Sequence, residues 1–77
     1  MLPNFSIYMV KWLDNNLLIW TNYGPLFLDE DDFKQFNFDP KWLVKNIDTY
    51  AAHNLVSTIK NYYTDQAIKL YMEGELS

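Results

Sequence analysis

The chain has no arginine and no cysteine, a single histidine, and only two glycines among its 77 residues. Each shortage closes off a class of function. Without cysteine there is neither a disulfide framework nor a thiolate zinc site, and His53 alone is too little for an imidazole one. Without arginine the forked contacts to phosphate and guanine are missing. The lysines, at 11, 34, 41, 45, 60 and 69, are scattered along the chain. Nucleic-acid binders gather their cations to displace counterions, so direct nucleic-acid binding is not expected. Gly24 and Gly74 stand far apart and form no phosphate-cradling loop. Long apolar runs are also lacking: the greasiest stretch, IYMVKWL, is interrupted by Lys11, and no membrane span is expected. The amino terminus shows neither a basic region nor a small-residue cleavage site, which points to an intracellular, cytoplasmic protein. Asn4-Phe5-Ser6 fits the glycosylation pattern, a match expected to be fortuitous in that compartment.

What is present is apolar bulk and acid. Hydrophobic residues make up 49% and aromatics 18%, with three Trp, six Tyr and five Phe, and ten acids against six lysines leave a net charge of −4. A chain this short forms one domain near the lower limit of a self-supporting core. A large ring buries roughly 150–250 Å², so this many exceed what so small an interior encloses. The charge suits a protein partner with a basic surface.

The first third of the sequence reads as β. Strands are expected at about 5–13, 17–22 and 26–28, where branched and aromatic residues are dense. Asp14-Asn15-Asn16 favours a tight hairpin, and Tyr23-Gly24-Pro25 a second turn. Alternation along the strands fails: Phe5, Ile7, Met9 and Leu13 lie on one side of the first, Tyr8, Val10 and Trp12 on the other. A sheet with one solvated face alternates apolar with polar. This sheet is therefore either covered on both sides or carries an exposed apolar face.

The remainder reads as helical, at about 30–36, 40–63 and 65–73. Asp29 and Asp39 are N-cap residues, with Pro40 at the first helical position after the second. From Ile47 onward apolar residues recur every fourth position to Tyr71. At 100° per residue that stripe drifts by ~240°. A straight helix cannot hold such a stripe on one core, so a break is expected near Thr64-Asp65, with a weaker one near Asp48-Thr49. One continuous rod with partners on several sides is the variant that suits an oligomer. The expected fold is α+β, a small N-terminal three-stranded antiparallel meander packed on two to four C-terminal helices.

Among candidate sites the run Asp29-Glu30-Asp31-Asp32 stands first. As a calcium loop it fails, because the sixth position is Lys34 and the twelfth Pro40. Acids in a first helical turn meet its free amides and dipole, so capping is the plain expectation. The alternative is a negative contact patch running through Asp39. His53 is a conceivable general base, with Ser57 one turn on, yet no nucleophile lies in an elbow or triad-like context. Asp14, Asp39, Asp48 and Asp65 fall where turns and caps want aspartate. Neither a cofactor nor a metal is implied.

The aromatic surplus is the strongest anomaly. The phenylalanines are expected to serve a cysteine-free core. Tryptophan and tyrosine keep a polar tip wet and dominate binding hot spots. Tyr62 and Tyr63, adjacent on a helix, cannot both face one core. The expected partner-binding set is Trp12, Trp20, Tyr23, Asp29, Glu30, Asp31, Asp32, Asp39, Trp42, Tyr62 and Tyr63.

Together these features predict a small interaction protein that binds another protein and has no chemistry of its own. In size, acidity and its Asn/Lys/Tyr-rich, arginine-free usage the chain resembles short proteins of phages and other mobile elements. That resemblance implies an inhibitor of a host enzyme or defence complex, such as a nuclease or polymerase. The alternatives are a homo-oligomeric accessory subunit that buries its sheet face against its own copy, and a small enzyme pairing His53 with a carboxylate.

Overall fold

In a computed structural model, residues 5–76 are described; Asn4 of the glycosylation pattern lies outside them. Three antiparallel strands, β1 (Ile7–Leu13), β2 (Asn16–Thr21) and β3 (Gly24–Leu28), form a meander in the order β1-β2-β3. Three helices follow: α1 (Glu30–Gln35), α2 (Pro40–Lys45) and α3 (Tyr50–Leu76). The fold is α+β. No helix among the described residues is long and apolar enough to cross a membrane.

The turns follow local chemistry. Asp14 adopts the left-handed conformation (φ 59°) that lets a short turn join β1 to β2. Gly24, at φ 109°, holds a backbone geometry that side chains disfavour. The buried Thr21 knits that second turn: its hydroxyl donates to the Gly24 carbonyl (2.8 Å) and accepts from the Tyr23 amide (3.1 Å).

A bulge between Ile7 and Met9 resolves the failed alternation. Ile7 pairs with Thr21, but Met9 pairs with Trp20 and Val10 with Ile19. One extra residue therefore swaps the faces of β1 part-way along it. Ile7, Val10 and Trp12 join Leu17, Ile19, Leu26 and Leu28 on the inner face. Met9, Lys11 and Leu13 join Leu18, Trp20, Pro25 and Phe27 on the outer face. Helices cover only the inner face. Leu43, Ala52, Val56 and Ile59 complete a core with the inner residues of β2 and β3.

That core is entirely aliphatic, contrary to the expectation that phenylalanines fill it. Phe5, Phe33, Phe36 and Phe38 pack around its margin, and Phe27 lies on the outer face, 53% exposed. Branched side chains interdigitate in the narrow gap between sheet and helix, and the rings are displaced to the rim. None of the tryptophans is enclosed: Trp12, Trp20 and Trp42 are 41%, 45% and 39% exposed.

The helices divide at the weaker of the two expected breaks and not at the stronger one. Instead of one helix over 40–63, α2 ends at Lys45 and α3 starts at Tyr50, with Asp48-Thr49 in the gap between them. Thr49 supplies the new cap: its Oγ1 accepts from the Ala52 amide (3.2 Å) while donating to the Asn46 carbonyl (2.6 Å). No break occurs at Thr64-Asp65, and α3 runs unbroken for 27 residues. The drifting stripe imposes no break because it does not stay on the core. Ala52, Val56 and Ile59 are buried, whereas every side chain from residue 64 to residue 74 is exposed. At 1.5 Å per residue α3 is ~40 Å long, close to the 44 Å longest dimension of the molecule.

Candidate functional site

The run LDEDDFKQFNFDP is two helix starts joined by a helix stop. Asp29 and Asp32 form a reciprocal capping box: Asp29 Oδ1 accepts from the Asp32 amide (3.1 Å), and Asp32 Oδ2 accepts from the Asp29 amide (2.9 Å). At the other end of α1 the chain makes a Schellman turn. The Asn37 amide donates to the Lys34 carbonyl (3.2 Å) and the Phe38 amide to the Phe33 carbonyl (3.1 Å). Asn37 holds the left-handed position, φ 53°, that such a turn needs. Its usual apolar clasp is the edge-on contact of Phe33 with Phe38, centroids 5.4 Å apart. Asp39 then caps α2, accepting from the Lys41 amide at 3.0 Å.

This double corner makes a surface groove. Phe38, Trp42 and Leu55 form an apolar floor with Asn37 and Asp39 beside them. A neighbouring indentation, which shares Asn37, Phe38 and Asp39 with the first, adds Phe33, Lys34, Pro40 and Glu30. Glu30, Asp31 and Asp39 are exposed. The acidic run therefore divides in two. Asp29 and Asp32 are engaged in capping, while Glu30 and Asp31 project into solvent, Glu30 at the rim of the indentation.

Asp32 carries a second load. Tyr63 of α3 donates its hydroxyl to Asp32 Oδ1, so one carboxylate ties α1 to α3. Burial, the bond to Asp32 and the Asp32 and Asp29 charges all push the Tyr63 phenol above its ordinary value. Tyr63 is half-buried and Tyr62 is 38% exposed. Both rings lie edge-on to Phe36, at 5.9 and 5.3 Å, in one aromatic cluster.

The remaining expected site residues lie elsewhere. Trp20 is on the outer sheet face beside Met9. Trp12 lies on the inner face at the β1 edge, opposite Leu17. Tyr23 stacks on Phe5 at the β2–β3 turn, 6.1 Å between centroids. The expected surface is thus divided among the groove, both faces of the sheet, the β2–β3 turn and the Tyr62–Tyr63 cluster. Sequence reasoning did not place Phe27 and Met9 on an open face, nor Leu55 in the groove. The bulge that turns Met9 outward has no glycine or proline to announce it.

His53 is half-buried, with its ring edge-on to Phe5 at 6.3 Å. Among the described residues no cluster of three His, Cys, Asp or Glu side chains could hold a metal ion. Compared with protein-family models, curated proteins and solved structures, the chain matches none.

Proposed function

We propose that this protein acts by binding another protein through the groove between α1, α2 and α3, and alters that partner's activity without catalysis. The observation that carries the proposal is the groove itself, an apolar floor of Phe38, Trp42 and Leu55 with Asp39 and Glu30 along it. Such a surface suits a lysine or arginine side chain. Its stem lies on the rings and its charge reaches the carboxylates, a geometry that adds cation–π attraction to Coulomb attraction. A net charge of −4 favours encounter with a basic partner. Enzymes that process nucleic acids carry basic surfaces to hold phosphates, so a nuclease or polymerase is the class of partner this groove fits best. The protein would occupy the cationic surface and exclude the nucleic acid.

The test is affinity capture from a lysate of the cells that make the protein, followed by titration against the captured partner. Glu30→Lys combined with Asp31→Lys should weaken binding at least about tenfold, in line with the cost of opposing like charges. Binding of the unchanged protein should also weaken as salt is raised. A captured partner that binds the doubly reversed chain equally well, or shows no salt dependence, refutes the proposal.

A further inference from the structure

Two apolar faces are left uncovered, at opposite ends of the chain. The first is the overhang of α3 beyond Tyr63. Viewed down the axis at 100° per residue, Ala67, Ile68, Leu70, Tyr71 and Met72 share one sector ~200° wide, with Asp65, Lys69 and Glu73 opposite. Ile68, Leu70, Tyr71 and Met72 are 52%, 68%, 68% and 57% exposed. The second is the outer sheet face, where Met9, Leu13, Trp20 and Phe27 are 46%, 37%, 45% and 53% exposed.

We infer that the occupant of each face is the other face of a second copy: the α3 overhang of one protomer lies across the outer sheet of its partner, and reciprocally. Two quantities support this pairing over either face meeting its own copy. At ~150–200 Å² for each large side chain, the overhang leaves roughly 400 Å² in water and the sheet face somewhat less. A standard interface buries about 800 Å² per partner. Either patch alone falls well short; the two together come close to it. Length agrees as well: the overhang of ~20 Å matches the ~15–20 Å breadth and length of a small three-stranded sheet. A helix across an open sheet face is also the ordinary way of closing a layer. The groove lies apart from both patches, so the dimer and the binding of a basic protein stand or fall separately.

The experiment is sedimentation equilibrium of the full chain over a wide concentration range, with Leu70→Glu and Phe27→Glu as variants. The 9.2 kDa chain should sediment at twice that mass. Each variant should raise the dimer dissociation constant at least about a hundredfold and leave the melting temperature of the dissociated chain unchanged. Both side chains are more than half exposed and lie outside the core. Mixing the two variants should restore partial association, because one overhang and one sheet face remain intact in the mixed pair. A chain that is monomeric throughout overturns the inference. A dimer lost with Leu70→Glu but kept with Phe27→Glu means helix pairing, the reverse means sheet pairing, and either contradicts the reciprocal arrangement.

Discussion

Asp32 is the residue on which the helical half hinges, and its replacement has a computable cost. In Asp32→Ala the Asp29 amide loses its acceptor and the Tyr63 hydroxyl loses a charged one. A hydrogen bond to a charged group contributes about 1.5–3 kcal/mol when dry. Tyr63 is only half-buried, so water recovers part of that, leaving about 1 kcal/mol. Loss of the capping partner and of a first-turn charge adds about 1 kcal/mol. The total, about 2 kcal/mol, lowers Tm by roughly 8–16 °C in a domain of this size. The diagnostic quantity is the coupling with Tyr63→Phe. If the bond exists in solution, the double variant should lose about 1 kcal/mol less than the two single losses combined. Urea melts followed by circular dichroism give all four stabilities. Additivity within about 0.3–0.5 kcal/mol would show that Asp32 does not hold α3, and would refute the dual role assigned to it.

Other outcomes follow from the same contacts. Because the Tyr63 phenol is raised in the folded state, its contribution to stability is present below the ordinary tyrosine value near 10 and is lost as pH rises beyond it. Tm should therefore fall on going to strongly alkaline buffer, and Tyr63→Phe should flatten that fall; equal slopes would contradict the shift. Asn37→Gly should stabilise the chain by up to about 1 kcal/mol, since glycine enters the left-handed position at no steric cost; a lower melting temperature would count against the Schellman geometry. Ile59→Ala should cost about 2–5 kcal/mol, enough to unfold most of a chain this small near room temperature. A well-folded Ile59→Ala would contradict the place of Ile59 at the centre of the aliphatic core.

Much of the fold is readable from local chemistry because it is local chemistry. Asp29, Asp39 with Pro40, and the Asp14 and Gly24 turns announce themselves by residue type, since each satisfies orphan amides or a left-handed backbone within a few positions. The failed alternation of β1 and β2 correctly left an open apolar face as one of two outcomes. Which outcome holds depends on the bulge at Tyr8 and on how far the helices reach, and both are tertiary facts. The break expected at Thr64 rested on the premise that every apolar helical residue serves the core. Ala67 and Tyr71 of the stripe do not, and α3 therefore needs no break. The acidic run was legible as caps, but its division into Asp29 and Asp32 against Glu30 and Asp31 requires knowing where Tyr63 lands.

The central claim is that the exposed tryptophans serve a second molecule and not the fold. Trp42 tests it most directly, because it forms the groove floor and is 39% exposed. Affinity for the captured partner and urea stability should be measured on the same preparation of Trp42→Leu, which keeps apolar packing and removes the indole. The account predicts at least about a tenfold loss of affinity with a stability change within about 1 kcal/mol. Unaltered affinity, or a stability loss as large as that of Ile59→Ala, would contradict it.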